Sequence, residues 1–227
     1  ITTMAKAKLM PMRTKMPGAD LFFPINDIVK LPKWLGELQP ELINTGAEFE
    51  EDYLKIAPVR IASRQAYVTI QTGCNQFCTY CVVPFSRGFE RNRTVVDIVN
   101  EIRGLASHGC VEVTLLGQTV NSYRAPDPHN FSSKNPYKDH FAALLWEVNQ
   151  IPKIKRLHFT APHPLYMTDE VIDAMKLPAH LNFLHLPVQS GDNEILRKMN
   201  RRYTREQFLE LIKKIFEQHT DDNIVKL

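Results

Sequence analysis

A chain of 227 residues, 44% hydrophobic and 23% charged, can bury a large core, enough for one large domain or a large domain with a small one. No run of about 18 apolar residues offers a membrane span, the mixed segment at residues 1–8 does not read as a secretory signal, and a net charge of +3 is compatible with RNA without requiring it. Four cysteines, three of them crowded together, fit metal binding in a reducing compartment better than a disulfide framework, so a cytoplasmic setting is expected.

Residues 37–65, with Pro40, an acidic run from Glu48 to Asp52 and Pro58, read as a connector. Residues 66–71 alternate and are rich in β formers, predicting a strand that runs straight into a cysteine-bearing loop. Apolar residues at Val95, Ile98, Val99, Ile102 and Leu105 have helical spacing across residues 94–108, and Gly109 ends that helix. Residues 111–116 predict a strand, followed by a loop with Gly117, Gln118 and Asn121. A helix is expected over 139–150, a strand over 155–160, and a helix over 168–176 capped by Thr168, with Asp169 and Glu170 in its first turn. Residues 182–187 read as strand, a helical stretch starts at Asp192, Thr204 caps an amphipathic helix through Phe216, and a fifth strand is expected at 223–227. Strand then helix, repeated in succession, implies parallel pairing with right-handed crossovers, hence an α/β fold and a (β/α) barrel or part of one. Sites in such barrels form from the loops at the carboxyl ends of the strands, and these loops carry the polar residues just named.

The loop after the first strand holds Cys74, Cys78 and Cys81 in CxxxCxxC spacing. Four thiolates would close every iron of a [4Fe-4S] cube, whereas three leave one iron open. An open iron can take S-adenosylmethionine through its amino and carboxylate groups and pass one electron into the sulfonium, giving a 5′-deoxyadenosyl radical. Zinc is a second reading, with a fourth ligand drawn from Cys110 or one of the eight histidines. Three unrelated buried thiols are a third. Cys110, between Gly109 and Val111, reads most simply as a small buried apolar residue.

The wording around these elements narrows the possibilities. The cysteine loop, with Tyr80 just before its last cysteine, is followed by Val82-Val83-Pro84-Phe85-Ser86-Arg87-Gly88, by Leu115-Leu116-Gly117-Gln118-Thr119-Val120-Asn121-Ser122-Tyr123, by Thr160-Ala161-Pro162-His163-Pro164 and by His185-Leu186-Pro187-Val188-Gln189-Ser190-Gly191. In this order they resemble the radical-SAM tRNA methylthiotransferases, most closely the branch that thiomethylates C2 of N6-isopentenyladenosine beside the anticodon. The branch acting on threonylcarbamoyl-adenosine is the alternative, and a non-catalytic metal-binding RNA module is the competing class. The resemblance runs from about Pro17 to Phe216. It implies a partial radical-SAM barrel, a three-cysteine [4Fe-4S] cluster on Cys74, Cys78 and Cys81, and S-adenosylmethionine beside Tyr80, Gln118, Asn121, His163, Gln189 and Ser190.

It further implies the tRNA anticodon stem-loop as partner and a flavodoxin or ferredoxin as electron donor, without a side-chain acid or base. Arg87, Arg91 and Arg93, and again Arg197, Lys198, Arg201 and Arg202, are candidates for RNA phosphates. The target base must be unstacked to be reached, which is easiest in a single-stranded loop.

Against the family pattern, residues 1–40 look like a remnant of the amino-terminal domain, with 17–36 as its closing strand and helix, 41–65 as linker and 66–227 as the barrel. Residues 1–5 stand where the family has a cysteine, and no cysteine precedes Cys74, so the ligands of the auxiliary [4Fe-4S] cluster expected for the family are absent here. A fragment of a longer enzyme is the expectation.

Overall fold

The computed structural model describes residue 16 and residues 18–23, 25–39, 54, 64–218 and 224–226. The chain divides into two units, Ile1–Val59 with Val82–Phe89 and Arg60–Cys81 with Glu90–Leu227. Most of the expected linker at 41–65 lies outside the described residues, as does the segment at 1–5.

In the first unit a 3-10 helix at Ile25–Lys30 leads into α1, Leu31–Leu38. Pro32 stands in the first turn of α1, where a missing N–H leaves no helical bond unmade. Phe23, 5% exposed, packs on Trp34 with ring centroids 5.2 Å apart. The helix expected here is present, but the strand is not: residues 18–23 have no ladder partner. Val83–Ser86 forms a single helical turn, α2, with Pro84 at its start.

The second unit begins with β1, Gln65–Thr69, and two short antiparallel partners, β2 at Gln71–Thr72 and β3 at Arg91–Asn92. Then come α3 (Val95–Ser107), β4 (Glu112–Leu116), α4 (His140–Asn149) and β5 (Arg156–Phe159). β1, β4 and β5 form one parallel sheet in that order, with Gln65 opposite Glu112 and Glu112 opposite Arg156. The path continues through a single parallel bridge between Leu157 and His180, in which Leu157 N donates to Ala179 O at 2.6 Å and Leu181 N to Leu157 O at 2.8 Å. After α5 (Asp169–Ala174), β6 (Phe183–His185) pairs in parallel with β7 (Ile224–Lys226), and α6 (Asn193–Lys198) and α7 (Arg205–Gln218) lie between them in sequence. β6 is shorter than the strand expected over 182–187, because Pro187 has no N–H to give a ladder.

Alternation along the strands separates two faces. Ala66, Val68, Val113, Leu115, Leu157 and Phe159 are all 5% exposed or less and join Ile98, Ile102, Phe141, Leu144 and Ile172 of the helices in one core. Phe141 meets Phe159 edge to face at 5.1 Å. Burying each such side chain contributes roughly 1.5–3 kcal/mol, so this face anchors the sheet. The other face is polar. There the Glu112 carboxylate accepts from Gln65 Nε2 at 2.6 Å and pairs with Arg156, tying three strands at one level.

Two helix starts follow the predicted caps, and a third cap emerges at Thr94. Thr94 accepts from Asp97 N at 3.1 Å and the predicted cap Thr168 from Val171 N at 3.3 Å. Thr204 and Gln207 cap α7 reciprocally, Gln207 N to Thr204 Oγ1 at 3.3 Å and Thr204 N to Gln207 Oε1 at 2.9 Å. Among the described residues no helix is long and apolar enough to cross a membrane.

Candidate functional site

Beyond β2 the chain turns at Gly73, whose φ of 72° suits glycine, and enters the cysteine loop. The loop is held from outside by the turn that follows α6. Thr79 N donates to Met199 O at 3.3 Å and Thr79 Oγ1 to Lys198 O at 2.9 Å. Asn200, at φ 58°, uses one amide nitrogen for both Gln76 O at 3.1 Å and Phe77 O at 3.0 Å. Gln76, 6% exposed, reaches away from the loop to Tyr166 Oη at 2.8 Å.

The three cysteines therefore share one firmly tethered loop at the carboxyl ends of β1 and β2. Cys81 N closes a turn onto Cys78 O at 2.9 Å. Cys74 is buried, and Cys78 and Cys81 are half-buried. Their sulfurs do not converge as the side chains stand. Cys74 Sγ lies 3.4 Å from Thr119 Oγ1, and Cys78 Sγ accepts from Arg201 at 3.4 Å. Among the described residues no group of three or more His, Cys, Asp or Glu side chains is gathered closely enough to hold a metal ion. The fit to a soft metal centre is one of donor chemistry: three thiols on one short loop, with no carboxylate or histidine in the set. Cys110 is not part of it. It is 1% exposed, its thiol donates to Glu112 O at 3.2 Å, and it precedes β4, whereas Thr119, the neighbour of Cys74, follows that strand.

A polar network supports the loop from below. Gln71, 1% exposed, donates to Ser122 Oγ at 2.9 Å and Asn92 Oδ1 at 3.2 Å and accepts from Thr119 N at 3.2 Å. Ser122 donates to Glu90 Oε2 at 2.7 Å, and Glu90 N donates to Asn75 Oδ1, inside the cysteine loop, at 3.0 Å. Gly117 sits against this network: a Cβ there would stand 3.0 Å from both Gln71 Oε1 and the Val120 Cα, so a side chain would force these neighbours to shift.

Asn121 and His163, both expected near a cofactor, are joined to each other. Asn121 is 1% exposed, donates to His163 O at 3.0 Å and accepts from His163 N at 2.8 Å. These bonds spend the amide on the backbone, so Asn121 braces the loop after β5. His163, 5% exposed, accepts from Leu165 N through Nδ1 at 3.3 Å and has Tyr166 and Tyr203 each 5.8 Å away, centroid to centroid. Burial, aided by the charges of Arg201 and Arg202, pushes its pKa down to about 3, and the ring is neutral. An unfolded histidine titrates near 6.5, so between about pH 6.5 and 3 the unfolded chain binds the extra proton and stability falls as the pH falls. His163→Phe is expected to flatten the dependence of the urea midpoint on pH over this window, by up to about 1.4 kcal/mol per pH unit at its steepest. An unchanged slope in the variant would refute this assignment.

Of the other expected contacts, Tyr80 is 55% exposed and its hydroxyl donates to Gln189 Oε1 at 3.2 Å, bringing the cysteine loop and the loop after β6 together. Gln189 is in the left-handed region at φ 71°. Ser190 accepts from Asp192 N at 3.1 Å, and half-exposed Gln118 makes no side-chain hydrogen bond to a described residue. Two of the arginines expected to meet RNA are committed elsewhere. Arg93 donates to Thr69 O at 2.8 Å and Glu101 at 2.6 Å, and Arg201, 8% exposed, turns to Cys78 and Tyr203. Both sit beside acceptors that desolvation makes obligatory, which their position in basic runs did not reveal. Lys198 pairs with Glu194 at 2.8 Å on the exposed side of α6, while Arg91, Arg197 and Arg202 are exposed.

The sequence model of the radical SAM superfamily matches residues 68–227. The chain belongs to the radical-SAM superfamily. Enzymes of this superfamily use a [4Fe-4S] cluster with S-adenosylmethionine, which accords with the donor set described above. The chain is 43% identical over 212 residues to the tRNA-2-methylthio-N(6)-dimethylallyladenosine synthase of Clostridium botulinum, covering 92% of this chain and 45% of that protein. It is 44% identical over 209 residues to the same-named protein of Clostridium tetani, covering 90% and 44%. The chain spans about half the length of the curated relatives it matches.

Solved radical-SAM structures share the fold. The cobalamin-dependent S-adenosylmethionine radical enzyme OxsB superposes with a TM-score of 0.56 at 13% identity, over 86% of this chain and 31% of that one. The radical S-adenosylmethionine methyltransferase TsrM of Kitasatospora setae, solved with cobalamin and a [4Fe-4S] cluster, gives 0.51 at 17% identity, over 78% and 32%. The α/β fold with parallel strands read from the sequence is borne out.

Several residues of this radical-SAM site were not singled out in sequence. Thr119 and Gln76 carry no distinguishing spacing. Asn200 does leave a trace, since an asparagine one or two places after a helix is the usual non-glycine residue in the left-handed region.

Proposed function

We propose that this chain is the radical-SAM portion of a tRNA methylthiotransferase that adds a methylthio group to C2 of N6-isopentenyladenosine next to the anticodon. The observation that carries this reading is the cysteine loop itself: three thiols on one tethered loop at the carboxyl ends of parallel strands. Its support in sequence is the 43% identity to a synthase of that name.

Cys74, Cys78 and Cys81 would hold the [4Fe-4S] cluster, leaving one iron for S-adenosylmethionine. Bound there, the cluster would supply the one electron for reductive cleavage of S-adenosylmethionine, the chemistry that would activate C2 of the adenine. Tyr80 and Gln189, already hydrogen-bonded, would border the cofactor with Gln118 and Ser190, while Asn121 and the His163 backbone brace the loop after β5. The substrate is the tRNA anticodon stem-loop, approached by the exposed Arg91, Arg197 and Arg202, each phosphate contact steepening the salt dependence of binding. Electrons come from a flavodoxin or ferredoxin in the cytoplasm. Residues 1–40 belong to an amino-terminal domain, 41–65 to a linker and 66–227 to the barrel.

The test is anaerobic reconstitution of the chain with iron and sulfide, followed by S-adenosylmethionine and dithionite. A brown protein that releases 5′-deoxyadenosine is expected. A colourless, zinc-bearing protein that releases none would overturn the assignment. For the substrate, the whole protein of which this chain is part is incubated with tRNA carrying isopentenyladenosine or threonylcarbamoyl-adenosine, and the methylthio product is sought in the first by nucleoside mass spectrometry.

A further inference from the structure

Arg201 is a buried cation whose partner is a cysteine. It is 8% exposed, and among the described residues no carboxylate pairs with it. One terminal nitrogen donates to Cys78 Sγ at 3.4 Å, and Nε donates to Tyr203 Oη at 3.2 Å, with the guanidinium carbon 5.4 Å from the Tyr203 ring centroid. Tyr203 Oη passes the connection on, donating to Val188 O at 2.8 Å. The next residue, Gln189, accepts from Tyr80, which lies two positions after Cys78. Cys78, Arg201, Tyr203, Val188, Gln189 and Tyr80 thus close a ring between the cysteine loop and the loop after β6.

A guanidinium removed from water without a carboxylate needs another source of negative charge. Of the two groups to which it donates in this ring, the Tyr203 hydroxyl keeps its proton for Val188 O, and the Cys78 sulfur is the one that carries negative charge as a metal-bound thiolate. A thiolate-ligated cluster becomes more negative when it is reduced, and N–H donors to its sulfurs, like nearby positive charge, stabilise the reduced state. The rigid fork of arginine can hold Cys78 and Tyr203 together, which the single nitrogen of lysine cannot.

We propose that Arg201 is a positioning residue that donates to the Cys78 sulfur of the cluster, raises the cluster's reduction potential, and couples that sulfur to the Gln189 loop. This rests on the cluster assignment made above. The step concerned is the entry of one electron, taken from a low-potential one-electron donor, into the cluster, with no proton or bond transferred.

The experiment compares wild type, Arg201→Met, Arg201→Gln and Tyr203→Phe after anaerobic reconstitution, each assayed for iron and sulfide and titrated with dithionite and mediators while the reduced-cluster EPR signal is followed. Arg201→Met is expected to keep its cluster but to be reduced at least tenfold less favourably at a given potential, which for one electron is a midpoint about 59 mV lower. Tyr203→Phe, which keeps the guanidinium, should shift less. A full cluster with an unchanged midpoint in Arg201→Met would overturn the inference while leaving the cluster assignment intact. If Arg201→Met does not fold or does not retain iron, Arg201→Gln decides in its place: its shorter side chain sets an amide near the Nε position beside Tyr203, with neither the charge nor the terminal nitrogen that reaches Cys78 Sγ, and a wild-type midpoint there is equally fatal. A wild-type chain that takes up no cluster would remove the assignment itself.

Discussion

Exchange of Cys74, Cys78 or Cys81 for serine, one at a time, is expected to leave a folded chain that no longer retains a [4Fe-4S] cluster and releases 5′-deoxyadenosine only at the rate of a protein-free control. The fold should survive because none of the three belongs to the main apolar core, and two are only half-buried. The cluster should not, because the loop supplies three thiol ligands and each exchange removes one of them. A serine oxygen is a hard donor and a poor replacement for a soft thiolate on iron. Cys110→Ser is the control. Its thiol donates to Glu112 O at 3.2 Å behind β4, a hydroxyl can make the same bond, and a stability change of only about 1 kcal/mol is expected with the cluster unaffected. Iron and sulfide analysis with absorption near the cluster bands reads both. Loss of the cluster in Cys110→Ser, or its retention in any of the three loop variants, would show that the ligand set is wrongly drawn.

Asn200 should produce the next largest effect, although it touches no cysteine side chain. Its amide nitrogen holds the carbonyls of Gln76 and Phe77, the two residues before Cys78, and its own φ of 58° places it in the left-handed region. Two substitutions separate these roles. Asn200→Gly keeps the backbone easy and removes only the side-chain bonds, for roughly 1–3 kcal/mol in total. Asn200→Ala adds about 1–2 kcal/mol for a residue with a Cβ in that conformation. Because the bonds act on the cysteine loop, the expected signature is local: faster loss of iron to a chelator and faster cleavage of the loop by protease in both variants, with Asn200→Ala alone also lowering the global unfolding midpoint appreciably. Chelation kinetics equal to wild type in Asn200→Gly would mean that the turn after α6 does not secure the loop.

Much of the scaffold was legible because it is written in local patterns. The stripe of Val95, Ile98, Val99 and Ile102 has the period of a helix and is buried on that side. The alternation across Ala66 and Val68 is that of a strand with one face in the core. Thr94, Thr168 and Thr204 cap where their hydroxyls accept from the backbone N–H three residues on. The two-residue β2 and β3 escaped notice, since a pair so short has no period to detect and is fixed by partners about 20 residues away, Gln71 with Asn92. The strand expected before α1 erred the other way, since the described residues 18–23 pair with no strand.

The cysteine spacing, the strand-helix alternation and the motif wording are properties of the chain as a string, and these alone were enough to name the chemistry of the donors, the fold class and the family. Which polar side chains serve the site and which serve the scaffold was decided by folding. Arg93 and Arg201 look alike in a basic run, yet one is spent on Thr69 and Glu101 and the other on Cys78 and Tyr203. Asn121 and His163, 42 residues apart, bind each other's loop. The reason is that a buried donor or acceptor must find a partner once water is excluded, and which partner lies within about 3 Å depends on contacts between distant segments that no local pattern encodes.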